Sequence, residues 1–189
     1  MGGSSRGRWG MTTAADVAAA LCGPPAPLPE AETRVPRRSG LYGWWSQPGV
    51  IPDIQGPPHP TTAELQLLYV GIAGSLFDRV VDRHVRGSTG ASTLRRSLAA
   101  LLLDSERLQT RWTTTRVVLV RDDERRLTAW MRGHLLLTWC EHPDPEGVEP
   151  AVIKLLAPPL NLDHNSRHPA REIVKAARSA WRASAGPRP

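Results

Sequence analysis

The chain's two tyrosines each sit on a short apolar run beside a glycine, in Ser39-Gly40-Leu41-Tyr42-Gly43 and in Leu67-Leu68-Tyr69-Val70-Gly71. Both runs suit a strand carrying one phenol, and the glycines leave backbone open to another molecule. Paired as a hairpin, the strands can set both phenols on one face of a sheet. An arginine-bearing segment follows closely, with Arg79, Arg83 and Arg86. Phenols that can hold a water, beside guanidiniums that grip phosphate oxygens with forked donors, suit work on phosphate esters. Taken singly, each residue has a plainer reading as a packed edge tyrosine or a solvated arginine; the joint placement carries the weight.

Positioning these side chains requires strands over about residues 40–45 and 66–71. Residues 46–63 between them hold five prolines and two glycines, which predicts a long loop, either touching substrate or simply inserted. Ser75-Leu76-Phe77-Asp78 reads as a capping box opening a helix to about His84, with a turn over 86–91. Ser92 or Thr93 caps a second helix whose apolar face is Leu94, Leu98, Leu101 and Leu102. A short strand is expected over 116–120, then a helix from Asp122 or Asp123 to Arg132 with Leu127, Trp130 and Met131 inward. Residues 134–139 suit a third strand. A helix over 149–156 would place Pro150 in its first turn, with Glu149 or its neighbour as the cap. A last helix over 169–181, capped near His168, carries the stripe Ile173, Ala177 and Trp181. Upstream, Thr12 or Thr13 caps a short helix through Leu21, and residues 1–11 read as disordered.

The sum is an α+β domain, a small three-stranded, mainly antiparallel sheet flanked by helices. Residues 37–165 would form the working unit, with 1–36 a flexible N-terminal segment and 166–189 a C-terminal helix and tail. A chain of 189 residues is enough for one full core. Its net charge of +6 favours a polyanionic partner over a basic one. Of the basic residues only Lys154 and Lys175 are lysines; codon bias explains that excess of arginine as well as function does, but the positive charge stands either way. Cys22 and Cys140 are too few for a disulfide framework, and Cys140 with His134 and His142 matches no zinc module. No run is long enough to span a membrane and nothing resembles a signal peptide, so a cytoplasmic location is expected.

Further positions agree with the two tyrosine motifs in order and spacing. Leu76 is followed by Arg79, and then come Glu149, Val152-Ile153-Lys154 and Pro158-Pro159-Leu160-Asn161. With Gly40-Leu41-Tyr42 and Tyr69-Val70-Gly71, these resemble the GIY-YIG nuclease family over roughly residues 40–161. The resemblance implies an endonuclease that hydrolyses DNA phosphodiester bonds around one divalent ion, Mg²⁺ or Mn²⁺, held by Glu149. It implies that Tyr42 deprotonates or orients the attacking water, that Tyr69 helps position water or phosphate, and that Arg79 clamps the scissile phosphate. Family members commonly place a histidine or tyrosine four residues after the arginine. Here that position is Arg83 and His84 is one further on, so either a locally shifted helix presents His84 or Arg83 substitutes. Gly71, Arg83, Arg86 and Asn161 complete the expected substrate-side set, with Asn161 anchoring the Glu149 helix or the hairpin rather than reacting. Arg95 and Arg96 are further expected phosphate contacts. Alternation puts Trp44 on the Tyr42 face, to pack or to stack on bases, and Trp45 opposite. Two rival readings are a DNA-binding module of the same fold without catalysis and a protein-interaction domain.

Overall fold

The computed structural model describes residues 13–188, so the segment expected to be disordered, residues 1–11, lies outside the described residues. Thr13 forms a capping box with Asp16 and opens α1 (Ala14–Leu21). The proline-rich stretch after it is more than a connector. It forms β1 (Ala26–Pro27) and α2 (Leu28–Arg34), whose Pro29 sits in the first turn, where a missing N–H costs nothing. Then follow β2 (Gly40–Ser46), β3 (Gln66–Ala73), a π-helix (Asp78–Val85) and α3 (Thr93–Leu101). The chain continues through β4 (Thr110–Trp112), β5 (Val117–Leu119), α4 (Arg121–His134), β6 (Leu135–Glu141), α5 (Pro145–Leu156) and α6 (Ala170–Ala183).

The architecture is α+β, as expected. The main sheet has the order β1-β6-β2-β3, antiparallel throughout. It holds four strands rather than three because Ala26 and Pro27 pair with Leu137 and Leu136 at the far edge. A separate hairpin joins β4 to β5. Strand β2 is central and buried along its whole length, and its alternation divides the interior in two. Tyr42 and Trp44 face a large core shared with the π-helix, α3, α4 and α6. Leu41 and Trp45 face a smaller one with Val17 and Leu21 of α1 and Val152 and Ile153 of α5. Each fully buried leucine or valine in these layers contributes about 1.5–3 kcal/mol.

The segment 46–63 is irregular but fastened. Ile51 and Ile54 are buried in the large core. Nδ1 of His59 accepts the amides of Thr61 and Thr62 at 3.3 and 3.2 Å. Nε2 therefore carries the proton and donates to the Gly23 carbonyl at 3.0 Å, while the ring meets Trp45 edge-on at 4.7 Å.

Three helix expectations need correction. Helix α5 starts four residues before Glu149: Pro145 takes the first-turn place, and the Asp144 carboxylate caps it by accepting the Gly147 amide at 3.1 Å. Glu149 therefore lies in the second turn, and Pro150 is tolerated inside the helix. On α6, Ala177 and Trp181 are inward as expected, but Val174 takes the place given to Ile173, which is 39% exposed. On α4, Leu127 and Met131 are inward, but Trp130 is only half-buried and stacks on His134 at 4.8 Å.

Candidate active site

Tyr42 on β2 lies directly opposite Gly71 on β3, and Trp44 lies opposite Tyr69. All four residues share one face of the sheet, because cross-strand partners point the same way. The glycine is required sterically: a Cβ at position 71 would overlap the Tyr42 hydroxyl and press on the Tyr69 ring. Its absence lets the two phenol rings sit 6.4 Å apart. Gly40 opens β2 for a similar reason, since a Cβ there would run into the Cys140 carbonyl of β6.

His84 reaches this face from the π-helix. Its Nε2 lies 2.7 Å from the Tyr42 hydroxyl, and its ring stands edge-on to Trp44 at 6.1 Å. Nδ1 lies 2.7 Å from Ser92 Oγ, the oxygen that also accepts the Arg95 amide at the start of α3. The main-chain carbonyl of His84 accepts from the Arg95 guanidinium at 3.1 Å. Helix α3 thus holds both the ring and the backbone of His84.

The π-helix explains the spacing. In an α-helix the neighbour of Arg79 one turn on would be Arg83. A π-helix bonds each amide to the carbonyl five residues back, as the Arg86 amide does to Val81 at 2.9 Å. The wider turn brings residue 84 to the inner face and leaves Arg83 exposed. Of the two alternatives left open by the spacing, His84 is the one that meets Tyr42. The expected capping box is half-made: the Asp78 amide donates to Ser75 Oγ at 3.3 Å.

The surroundings set the charges. Burial first, then the neighbouring Tyr69, push the Tyr42 phenol well above its usual pKa; Glu149 adds to the rise, and Arg79 and Arg83 oppose it. Tyr69 is raised by burial and by Glu149. Burial lowers His84 to about 3, helped by the positive charges of Arg79, Arg83 and Arg95, so its ring is neutral at ordinary pH. Glu149 is half-buried. Burial raises its carboxyl, His164 opposes the rise, and Asp163 and Glu146 reinforce it. Among the described residues neither Arg79 nor Glu149 has an ion-pair partner.

Other expected substrate contacts are committed elsewhere. Both polar atoms of the Asn161 side chain are taken by Val70: Oδ1 accepts its amide at 2.9 Å and Nδ2 donates to its carbonyl at 2.8 Å. Asn161 is an anchor for β3, and the substrate-side place given to it is withdrawn. Arg95 is corrected too. It is fully buried, pairs with Glu124 at 2.8 Å and bonds the carbonyls of His84, Val85 and Glu124. Arg86 is exposed but engaged with Asp82 at 3.3 Å and, more loosely, with Glu32. Trp44 is fully buried, which leaves it to pack rather than to stack on bases.

Hard divalent cations take oxygen ligands and keep several waters, so one protein carboxylate can suffice where phosphate oxygens complete the shell. Glu149 fits that demand: a half-buried carboxylate raised by burial, lacking a counter-ion, with Asp163 and Glu146 adding negative potential. No cluster of three or more His, Cys, Asp or Glu able to cage a metal occurs among the described residues.

A family model for the GIY-YIG catalytic domain matches residues 40–180. The chain belongs to the GIY-YIG family. This is a family of nucleases, and the match runs from the first residue of β2 into α6. Comparison with curated proteins and comparison with solved structures each returned no match. No helix among the described residues is long and apolar enough to cross a membrane. Within the GIY-YIG frame, Ser92 is the site neighbour that sequence reasoning missed. Its role as a helix cap is legible, but its contact with His84 depends on how α3 folds back on the π-helix. Arg178 of α6, whose charge acts on Tyr69, gave no signal in the sequence either.

Proposed function

We propose that this chain is an endonuclease that hydrolyses DNA phosphodiester bonds, with one divalent cation, Mg²⁺ or Mn²⁺, held by Glu149. The observation that carries the reading is the buried Tyr42–His84 hydrogen bond in the same electrostatic neighbourhood as an unpaired arginine, Arg79, and an unpaired carboxylate, Glu149. Phosphodiester hydrolysis needs a water positioned and relieved of its proton, and positive charge on the phosphoryl oxygens. The cation, when bound, supplies charge neutralisation to the phosphoryl and leaving oxygens.

The chain's own residues do the rest. Arg79 donates from its guanidinium to the non-bridging phosphate oxygens. With its proton on Nδ1, bonded to Ser92 Oγ, His84 leaves Nε2 as an acceptor facing the Tyr42 hydroxyl. Tyr42 oxygen then takes a proton from the attacking water as its own passes to Nε2. The water oxygen bonds to phosphorus, the bond to the leaving oxygen breaks, and that oxygen is protonated from solvent. His84 alone, at a pKa of about 3, is a weak acceptor. A phosphate arriving at Arg79 and Arg83 offsets two of the charges that depress it, so the relay strengthens when substrate is in place. Tyr69 orients water or phosphate from beside Tyr42.

The test is purified protein incubated with supercoiled plasmid and Mg²⁺ or Mn²⁺, alongside Glu149→Ala and Tyr42→Phe. The expected result is nicking that EDTA abolishes and that falls by about 100-fold or more in both variants. Binding without cleavage by the parent protein would turn the reading into a DNA-binding module. Equal cleavage by all three proteins would sink the site assignment.

A further inference from the structure

Seven arginines of this chain, Arg34, Arg37, Arg86, Arg95, Arg125, Arg126 and Arg132, each face a carboxylate. One cleft instead gathers four arginines that face none. Between the start of α3, the β4–β5 hairpin and α6 lies a pocket of about 340 Å³ lined by Arg96, Arg116, Arg178 and Arg182, with Trp112 and Thr93. No acidic side chain lines it, and none of the four arginines has an ion-pair partner among the described residues.

Three of the four guanidiniums are held in place by neutral acceptors. Arg96 donates to Thr93 Oγ1 at 3.2 Å, Arg178 to Ser97 Oγ at 2.7 Å, and Arg116 to the Gly90 carbonyl. Burial and mutual repulsion depress the pKa of Arg96 and Arg178, which is what an anion in the pocket would relieve. The charge of Arg178 also reaches Tyr69. The half-buried indole of Trp112 on the wall adds a flat surface of the kind that nucleic-acid strands stack on.

We propose that this pocket is a second phosphate-binding site, holding the backbone of a nucleic-acid strand away from the scissile bond. The inference rests on the nuclease reading for the identity of the strand. The site takes its charge from arginine alone, suits non-bridging phosphate oxygens, and gives the enzyme a grip on substrate that is independent of Glu149 and its cation.

The experiment measures binding of a fluorescein-labelled single-stranded DNA oligonucleotide in EDTA across a salt series. It compares the parent chain with Arg96→Gln/Arg116→Gln/Arg182→Gln. A control of equal charge change, Arg107→Gln/Arg121→Gln/Arg125→Gln, alters exposed arginines outside the pocket. A phosphate contact on single-stranded DNA is worth about 0.7 in the salt slope, so the pocket variant should lose about 2 from it. Its affinity at low salt should fall by about tenfold or more, and the control's by less than about twofold. Thermal melts matched to the parent, and a slope retained by Arg96→Lys/Arg116→Lys/Arg182→Lys, exclude misfolding as the cause. Equal losses in pocket and control variants, or no loss in either, would overturn the proposal. So would a mononucleotide that displaces the strand at equal phosphate concentration, which would make the pocket a nucleotide site. Because no metal is present, loss of plasmid nicking and loss of this binding are separate results: a protein that grips through the pocket but never cleaves refutes only the nuclease reading.

Discussion

The hydroxyl of Tyr42 and Nε2 of His84 meet at 2.7 Å although the residues are 42 positions apart, one on a central strand and the other on a π-helix. Both groups are almost wholly buried, and burial is the largest cause holding each in its neutral form. The pair is thus a neutral hydrogen bond walled by Trp44 and fixed from behind by Ser92. It is a contact that nothing at the surface holds in place, so its energetics report directly on the packing of this face.

The first consequence is acid sensitivity. In the unfolded chain His84 protonates near 6.5, and in the folded chain near 3. Between those values the unfolded state binds the extra proton, so this contribution to stability is fully present above about pH 6.5 and declines as pH falls toward 3. The steepest loss is about 1.4 kcal/mol per pH unit. Urea unfolding at pH 7 and pH 5 should show a larger drop in the parent than in His84→Gln, which has no proton to gain. Identical drops in both proteins would refute the buried neutral imidazole.

Gly71→Ala tests the space between the phenols. The added methyl must displace Tyr42 or Tyr69, at a cost of about 1–3 kcal/mol from overpacking. The variant is expected to remain folded, with a lowered melting temperature. Plasmid nicking should fall about 100-fold, because the Tyr42 hydroxyl no longer reaches His84. Near-parental nicking together with a normal melt would mean that the position of Tyr42 is not critical.

Asn161→Ala should weaken the fold without touching the tyrosines. It removes both hydrogen bonds to Val70, and two buried backbone groups left without partners cost about 1–3 kcal/mol each. Amide exchange at Val70 should accelerate along with a lower melting temperature. A Val70 amide that stays protected would show that another group takes over.

Much of this site was legible because its parts are local. Tyr42 and Tyr69 sit on strands whose apolar runs and flanking glycines read directly, and strand alternation alone puts Trp44 with one core and Trp45 with the other. The proline-rich stretch after α1 hid β1 and α2, since proline suits a first helical turn as well as a connector. The start of α5 was misplaced for the same reason: Pro145 and Pro150 both fit an N-terminus, and only Asp144 as cap decides between them. Arg95 read as a phosphate contact because nothing in its own helix reveals Glu124, 29 residues on. His84 could not be placed by counting along an α-helix. The deciding quantity is the number of residues per turn, and the wider turn is invisible until the i−5 hydrogen bond is seen.

The Asn161 clamp has a further effect on how this molecule meets others of its kind. Strand β3 is the outer strand of the sheet, and a bare strand of this apolar composition invites pairing with a neighbouring chain. Here the rim is occupied as far as Val70: His59 and Pro57 bond Leu65 and Leu67, Leu160 bonds Leu68, and Asn161 takes both groups of Val70. The same side chain that steadies the strand beside the phenols therefore acts as a border, leaving neither backbone group of Val70 for a strand from another chain.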